Sequence, residues 1–173
     1  MSIYRIEALD STKHRRAEFE CESAELTEFL RTRARKEMQA RSSACFVLVE
    51  DTDRGRIVGY YTLSQTSVDA GQFPEPVAKR LPRYPRLGAT LIGRLARDAA
   101  WKGKQVGTML LVDALRRSVR HSSEIGAVAV VTDPKDDNAR AFYASHGFRP
   151  LDEWRMFIPM TELISLEAAG WKA

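Results

Sequence analysis

Cysteine and histidine, which supply many of the protein ligands for transition metals, are scarce in this chain. Only two cysteines and three histidines occur among its 173 residues, and neither set has the spacing of a metal site. Cys21 and Cys45 are therefore expected to be buried, reduced thiols. We expect no bound metal ion.

Long apolar runs are missing as well. No stretch approaches the roughly 20 residues of a membrane-spanning helix, and residues 1–7 alternate between polar and apolar instead of forming the core of a signal peptide. We therefore expect no membrane partner and a cytoplasmic location. Hydrophobic residues make up 44% of the chain, and its length predicts a single domain over residues 1–173.

The net charge of +4 is too small to imply a nucleic-acid partner by itself. The basic residues are concentrated, however, in two stretches that could bind phosphate backbones, while Tyr84 could stack on an unpaired base. Charge alone still favours a solvated surface. The two sets are Arg31, Arg33, Arg35, Lys36 and Arg41, and Lys79, Arg80, Arg83 and Arg86.

Hydrophobic periodicity predicts alternating strands and helices. Strand–helix–strand units in the second half indicate parallel pairing, and hairpins in the first half indicate antiparallel pairing. The prediction is an α/β fold with a mixed central sheet flanked by helices. Strands are expected over 3–9, 45–49, 56–68, 89–97, 127–132, 148–151 and 154–159, helices over 23–40, 74–80, 105–120, 136–146 and 161–169, and an extended loop over 81–88.

Residues 95–108 are the most informative segment. A predicted strand is followed by a basic loop containing Lys102, Gly103 and Lys104, and then by a helix. A helix N-terminus presents unpaired N–H groups and a partial positive charge, and glycine lets the backbone approach an anion. These features suggest a diphosphate site, although a glycine-containing loop before a helix is more often an ordinary turn. The spacing matches neither a dinucleotide fold nor an ATP-type phosphate loop.

Residues 102–107 resemble the coenzyme A pyrophosphate loop of the GNAT acetyltransferases, Arg/Gln-x-x-Gly-x-Gly/Ala. Lys102, Gln105 and Gly107 occupy the defining positions, but Gln105 replaces a glycine and would be strained if the site needs a positive φ. The resemblance implies a GNAT (acyl-CoA N-acyltransferase) fold and acetyl-CoA as co-substrate. The implied cofactor-binding residues are Leu95, Ala96, Arg97, Lys102, Gly103, Lys104, Gln105, Val106, Gly107 and Thr108.

Residues 139–148 resemble a second GNAT signature, Ala-x-x-x-Tyr-x-x-x-Gly-Phe. The tyrosine of this signature lies near the thioester sulfur, so the resemblance implies that Tyr143 is the general acid for the leaving thiolate. Without the resemblance, Tyr143 would more simply be a core residue. Asp136 stands where many members have asparagine, and Asn138 is the predicted substitute for that cofactor contact.

The stretches Tyr-Tyr-Thr-Leu-Ser (60–64) and Arg-Leu-Pro-Arg-Tyr-Pro (80–85) carry a narrower resemblance. They resemble the GNAT toxins of bacterial toxin–antitoxin modules, which acetylate the α-amino group of aminoacyl-tRNA and block translation. This resemblance covers nearly the whole chain and implies a homodimer and a small DNA-binding antitoxin of the ribbon-helix-helix type. The predicted tRNA-binding residues are Arg33, Lys36, Arg80, Arg83 and Arg86.

The apparent lack of a general base fits this acceptor, since only Asp98 and His146 are weak candidates. An α-amino group has a pKa of about 7.7–8.0, against about 10.4 for lysine, so it is substantially neutral near pH 7. Two alternatives stay open at this point. One is acetylation of a small amine or a protein N-terminus, and the other is a degenerate coenzyme-A-binding module without catalysis.

Overall fold

The structure, a computed structural model, describes residues 2–171. The expectation of one domain over 1–173 includes residues 1, 172 and 173, which lie outside the described residues. The strands are β1 (Tyr4–Ala8), β2 (Ala44–Glu50), β3 (Gly59–Asp69), β4 (Arg86–Arg97), β5 (Ala129–Thr132), β6 (Arg149–Pro150) and β7 (Met156–Pro159). The α-helices are α1 (Ala24–Glu28), α2 (Ala34–Gln39), α3 (Glu75–Ala78), α4 (Val106–Ser122), α5 (Asp137–Ser145) and α6 (Met160–Ala168).

The strands form one mixed seven-stranded sheet in the order β1-β2-β3-β4-β5-β7-β6. The pairs β1–β2 and β2–β3 are antiparallel, β4–β5 is parallel, and β7 is antiparallel to both β5 and β6. All four residues of β5 are buried, as its unbroken apolar run predicts for a strand covered on both faces. The predicted mixed α/β sheet is confirmed.

The parallel ladder between β4 and β5 is short. It pairs Thr90 with Val130, Leu91 with Val131 and Ile92 with Thr132. β4 continues beyond this register as far as Arg97, whereas β5 ends at Thr132. The last residues of β4 therefore extend past the end of its parallel neighbour, β5.

The chain groups into two compact units. The first contains the residues up to Ser64 together with Gly93–Ala114. Its core is aromatic, with Phe19 packed edge-on against Tyr60 at 5.4 Å between ring centroids. The Tyr60 hydroxyl donates to the Leu26 carbonyl at 2.7 Å, which ties α1 to β3. Burial of these aromatic rings contributes to the stability of this unit.

The second unit contains Gln65–Ile92 together with the residues from Leu115 onward. Phe73 packs edge-on against Phe157 at 5.4 Å, inside a cluster that includes residues of β3, β4, β5 and β7. The buried positions of β5 and β7 supply its apolar centre. Within residues 2–171, no helix is long and apolar enough to cross a bilayer.

The predicted helix over 23–40 is interrupted by a π-helical turn, Phe29–Arg33. Its apolar residues recur at every fourth position, and a strict four-residue repeat drifts by about 40° per repeat in a 3.6-residue helix. One wide turn compensates for this drift, and Leu30 and Ala34 are consequently both fully buried. The prediction of an unbroken helix was wrong at this turn.

Other boundaries also differ from the prediction. Residues 86–88 belong to β4 and not to a loop, because the buried Leu87 and Ala89 alternate with the exposed Arg86 and Gly88. β3 begins at Gly59 instead of 56, the strands predicted over 148–151 and 154–159 shrink to β6 and β7, and α6 begins directly after β7.

Both cysteines are free thiols. Cys45 is buried, and burial raises its pKa to about 12, so this thiol is unreactive at neutral pH. Cys21, which precedes α1, is only half-buried, and its thiol lies 3.2 Å from the Ser23 carbonyl oxygen. The expectation of two buried thiols was therefore wrong for Cys21.

Candidate active site

The loop after β4 starts at a buried aspartate. The Asp98 carboxylate accepts hydrogen bonds from the backbone N–H groups of Ala100 (3.0 Å) and Glu20 (3.1 Å). The Arg56 guanidinium donates a third at 3.1 Å. A carboxylate held by three donors fixes where the strand ends, so this geometry gives Asp98 a structural role instead of that of a general base.

An exposed turn over residues 102–105 joins this point to α4. Two of its residues have a left-handed backbone, Gly103 with φ 79° and Gln105 with φ 57°. Glycine adopts this conformation freely, whereas an L-residue is strained in it by about 1–2 kcal/mol. The sequence predicted strain at Gln105 if this position needed a positive φ, and the structure shows that its φ is positive.

The start of α4 lies close against the sheet because β3 has a glycine beneath it. A Cβ atom on Gly59 would lie 2.8 Å from Leu110 Cδ1 and 3.0 Å from Val106 Cγ1. Both of these helix side chains are fully buried. The first turn of this 17-residue helix is thereby held in place, with its N-terminal N–H groups next to the exposed turn.

Three basic side chains lie within or just before the turn that precedes α4, and two of them face the same carboxylate. Lys102 Nζ and Arg97 Nη2 lie 3.8 Å and 3.6 Å from the same Glu22 oxygen. Lys104 Nζ lies 5.8 Å from the centroid of the Trp101 ring. Arg97 Nη1 is buried and has no hydrogen-bond partner among the described residues. An anion at this turn would therefore meet formal charge in addition to the helix dipole.

The structure brings most of the predicted cofactor residues together in the first unit. Leu95, Ala96 and Arg97 occupy the part of β4 that extends beyond its register with β5. Residues 102–105 form the exposed turn, and residues 106–108 begin α4. Strand end, turn and helix start are contiguous, as the predicted phosphate site requires.

The second motif forms α5, in the second unit. The Asp136 carboxylate caps the helix by accepting from the Ala139 N–H at 2.8 Å. Aspartate and asparagine are equivalent as helix caps, which explains why Asp136 can stand where an asparagine was expected. Gly147, with φ 92°, ends the helix. Asn138 is exposed in the first helical turn.

Tyr143 is held rigidly on the buried face of α5. Its side chain is almost fully covered, and its ring packs edge-on against those of Phe142 and Phe148, each at 5.3 Å. Burial raises the pKa of Tyr143 above its ordinary value of 10.0, and a hydrogen bond with Thr132 lowers it again in part. The hydroxyl therefore stays protonated at neutral pH, as a proton donor must.

His146 is engaged at the end of the same helix. Its Nδ1 lies 2.8 Å from the Phe142 carbonyl oxygen and 3.1 Å from the Ser145 hydroxyl. A ring nitrogen that faces a carbonyl must carry the proton, so Nδ1 is not available as a base. The absence of a convincing general base stays a prediction.

The basic residues around α2 differ from one another in what they contact. Arg31 is used inside the fold, since its guanidinium donates to the Phe19 carbonyl at 2.7 Å and 3.1 Å. Arg33 forms an ion pair with Glu37 at 2.9 Å. Lys36 is exposed, and among the described residues it has no ion-pair partner. Only part of this predicted basic stretch is free.

The basic residues between α3 and β4 are more open. Arg80 and Arg83 are exposed, and neither forms an ion pair within the part of the chain that the structure describes. Tyr84 beside them is 66% exposed. Arg86 is partly committed, because it donates to the Ser67 hydroxyl at 2.7 Å.

Thr132 is the residue that the sequence analysis missed. It is the last residue of β5 and is buried, and its hydroxyl donates to the Ile92 carbonyl at 3.0 Å. The signal available in the sequence was a single threonine at the end of an apolar strand. Among residues 2–171, no group of three or more potential ligands is placed to hold a metal ion.

Comparison with protein families gives a match to the family described as "Acetyltransferase (GNAT) domain" over residues 41–150. This range includes both motifs. The chain is also similar to a "Probable toxin TacT" of Sinorhizobium fredii (strain NBRC 101917 / NGR234). The two are 30% identical over 170 residues, which is 93% of each chain.

A second relative is a "tRNA-acetylating toxin" of Mycobacterium tuberculosis (strain ATCC 25618 / H37Rv). It is 34% identical over 143 residues, which cover 82% of this chain and 83% of that one. Among solved structures, AtaT complexed with acetyl-methionyl-tRNAfMet superimposes with a TM-score of 0.88. The identity is 25%, and the match covers 95% of this chain and 99% of AtaT.

Proposed function

The chain belongs to the GNAT acetyltransferase family, and we propose that it transfers an acetyl group from acetyl-CoA to the α-amino group of aminoacyl-tRNA. An acetylated amine is no longer nucleophilic, so the reaction blocks translation. The observation that carries the proposal is the similarity to a tRNA-acetylating toxin over 82% of this chain. The likeness to AtaT bound to acetyl-methionyl-tRNA supports the same class of acceptor.

Acetyl-CoA is the proposed donor, and the geometry of the first unit suits it. The exposed turn and the first N–H groups of α4 offer hydrogen-bond donors to a pyrophosphate, with Lys102 and Lys104 adding charge. The backbone of Leu95, Ala96 and Arg97 is proposed to bind the pantetheine arm, and Asn138 remains the proposed contact from α5. The remaining proposed contacts are Gly103, Gln105, Val106, Gly107 and Thr108.

Tyr143 is the proposed general acid. Amine attack on the thioester expels a thiolate, and a buried, protonated hydroxyl on a rigid helix can donate a proton to it. The acceptor amine needs no protein base, because an aminoacyl α-amine is substantially neutral near pH 7. This assignment is consistent with the structural role of Asp98 at the end of β4.

The tRNA is proposed to contact the exposed basic side chains. Arg80, Arg83 and Lys36 are fully available for phosphates, while Arg33 and Arg86 would have to exchange or share an existing partner. Tyr84 is exposed enough to stack on an unpaired base of the acceptor end. The five arginine and lysine residues predicted from the sequence therefore contribute unequally.

The proposed partners follow from the toxin resemblance. A toxin of this kind needs an antitoxin, which we propose to be a small DNA-binding protein of the ribbon-helix-helix type, and we propose that the chain acts as a homodimer in the cytoplasm, where charged tRNA occurs. We also propose one GNAT domain over residues 1–173, because β3, β4 and α4 each continue from one compact unit into the other.

The test offers labelled acetyl-CoA to charged tRNA, uncharged tRNA and a small amine. We expect label only on charged tRNA, released as an N-acetylated amino acid when the ester is hydrolysed. Label on the small amine alone would replace the proposed substrate by a small-amine acceptor. Binding of acetyl-CoA without transfer to any acceptor would make the protein a coenzyme-A-binding module.

A further inference from the structure

A carboxylate lies among the basic side chains at the end of β4. The segment that carries it, residues 20–22, is bonded to this strand end. The Glu20 carbonyl accepts from the Ala99 N–H at 2.9 Å, and the Glu20 N–H donates to the Asp98 carboxylate at 3.1 Å. Residues 20–23 belong to no helix or strand. The backbone therefore holds Glu22 beside the proposed coenzyme site, while its side chain is not part of a regular element.

Glu22 faces two cations through one oxygen. Its Oε1 lies 3.6 Å from Arg97 Nη2 and 3.8 Å from Lys102 Nζ. Both distances are longer than a hydrogen bond, and the Glu22 side chain is 62% exposed. Arg97 Nη1 is buried and has no hydrogen-bond partner within the part of the chain that the structure describes. Glu22 is therefore a loose counter-ion that leaves part of the Arg97 guanidinium unsatisfied.

We propose that Glu22 competes with the phosphates of acetyl-CoA for Arg97 and Lys102, and so sets how tightly the coenzyme binds. This inference rests on the proposed use of acetyl-CoA as donor, and it gives a role to a residue outside both motifs. In the free protein the carboxylate lies at the two cations. When acetyl-CoA binds, the phosphates take its place and Glu22 turns toward solvent. No covalent bond forms or breaks in this exchange.

The exchange follows from the charges. A phosphate that accepts charge-assisted hydrogen bonds binds a cation more strongly than a carboxylate oxygen that lies 3.6 Å away. An exposed ion pair contributes little to stability, so moving the Glu22 side chain costs little. A carboxylate that stayed in place would repel the phosphates. Because the product CoA carries the same phosphates as the donor, Glu22 weakens the binding of acetyl-CoA and speeds the release of CoA.

The test measures the binding of acetyl-CoA to Glu22→Gln by calorimetry. We expect the Kd to fall by roughly 2- to 5-fold at low salt, which is the size of an exposed charge interaction. The difference should vanish in about 1 M salt, where charges are screened beyond about 3 Å. The Tm of the unliganded variant should match that of the wild type. Glu28→Gln is the matched control, since it removes the same charge from an exposed position on α1 and should leave the Kd unchanged.

A donor without phosphates separates competition from other effects. S-acetylpantetheine keeps the thioester, so kcat/KM with this donor and charged tRNA should be the same in Glu22→Gln and the wild type. An unchanged or higher Kd for acetyl-CoA in Glu22→Gln, an equal change in Glu28→Gln, or a gain with S-acetylpantetheine as well would each overturn the inference. A wild type that binds acetyl-CoA but transfers nothing to charged tRNA would instead refute the proposed function, and the Kd comparison would still decide the role of Glu22.

Discussion

Replacing Gln105 by glycine is expected to stabilise the protein without weakening the binding of acetyl-CoA. The residue has φ 57° and lies exposed at the turn before α4. Among the described residues its side chain has no hydrogen-bond partner, so little is lost when it is removed. What changes is the backbone, because glycine accepts a left-handed conformation that glutamine does not.

The magnitude follows from two opposing effects. Relief of the left-handed strain stabilises the folded state by about 1–2 kcal/mol. The greater freedom of glycine in the unfolded chain costs about 0.4–1 kcal/mol. The difference favours the variant by about 1 kcal/mol, which corresponds to a rise in Tm of about 2–4 °C for a chain of this size.

The assay is thermal unfolding with and without acetyl-CoA, together with the KM for acetyl-CoA. Gln105→Ala is the matched control, because it removes the same polar group and keeps a Cβ atom, so its Tm should not rise. A lower Tm for Gln105→Gly would contradict the strain argument. A markedly higher KM would mean that the glutamine side chain contacts the coenzyme.

Three further outcomes are expected. Tyr143→Phe should lower kcat by roughly 10²–10⁴, with acetyl-CoA binding near normal, as measured by turnover and titration; lost stability with intact kcat would make it a core residue only. Arg80→Glu combined with Arg83→Glu should weaken tRNA acetylation and reduce its dependence on salt, because phosphate contacts are lost. The affinity for acetyl-CoA in the absence of tRNA should stay unchanged. The pKa of Glu7 is lowered from 4.5 to about 2, chiefly by its hydrogen bond from Lys13, so the stability that it contributes is present above pH 4.5 and lost as the pH falls toward 2. The Tm difference between Glu7→Gln and the wild type should disappear over that range, and a difference independent of pH would contradict the assignment.

The features predicted best from the sequence are those set by local pattern. The apolar run of β5, the helix that ends at Gly147 and the mixed sheet follow from periodicity and turn chemistry. The two family motifs, at 102–107 and 139–148, both lie within the matched range 41–150, and the family assignment is confirmed. A glycine in a motif specifies a backbone conformation as well as a side chain. The replacement of that glycine by Gln105 therefore predicted backbone strain from the sequence alone.

The features that the sequence did not predict depend on contacts between distant segments. The π-helical turn at Phe29–Arg33 compensates for the mismatch between a four-residue apolar repeat and the 3.6 residues of a helical turn. The sequence did not predict it, because the same residues are compatible with a continuous helix and with an interrupted one. The buried hydroxyl of Thr132 is explained only when the fold shows that the Ile92 carbonyl, 40 residues earlier in the chain, accepts its hydrogen bond. No spacing rule connects these two positions.

Basic residues close together in sequence do not form an equally basic surface. Arg31 is committed to the Phe19 carbonyl, Arg33 to Glu37 and Arg86 to Ser67, and each must give up or share that partner before it can bind a phosphate. The gain from such an exchange is small, because one hydrogen bond replaces another. The affinity for a polyanion and its salt dependence should therefore come mainly from the arginines and lysines without a partner, such as Arg80 and Arg83.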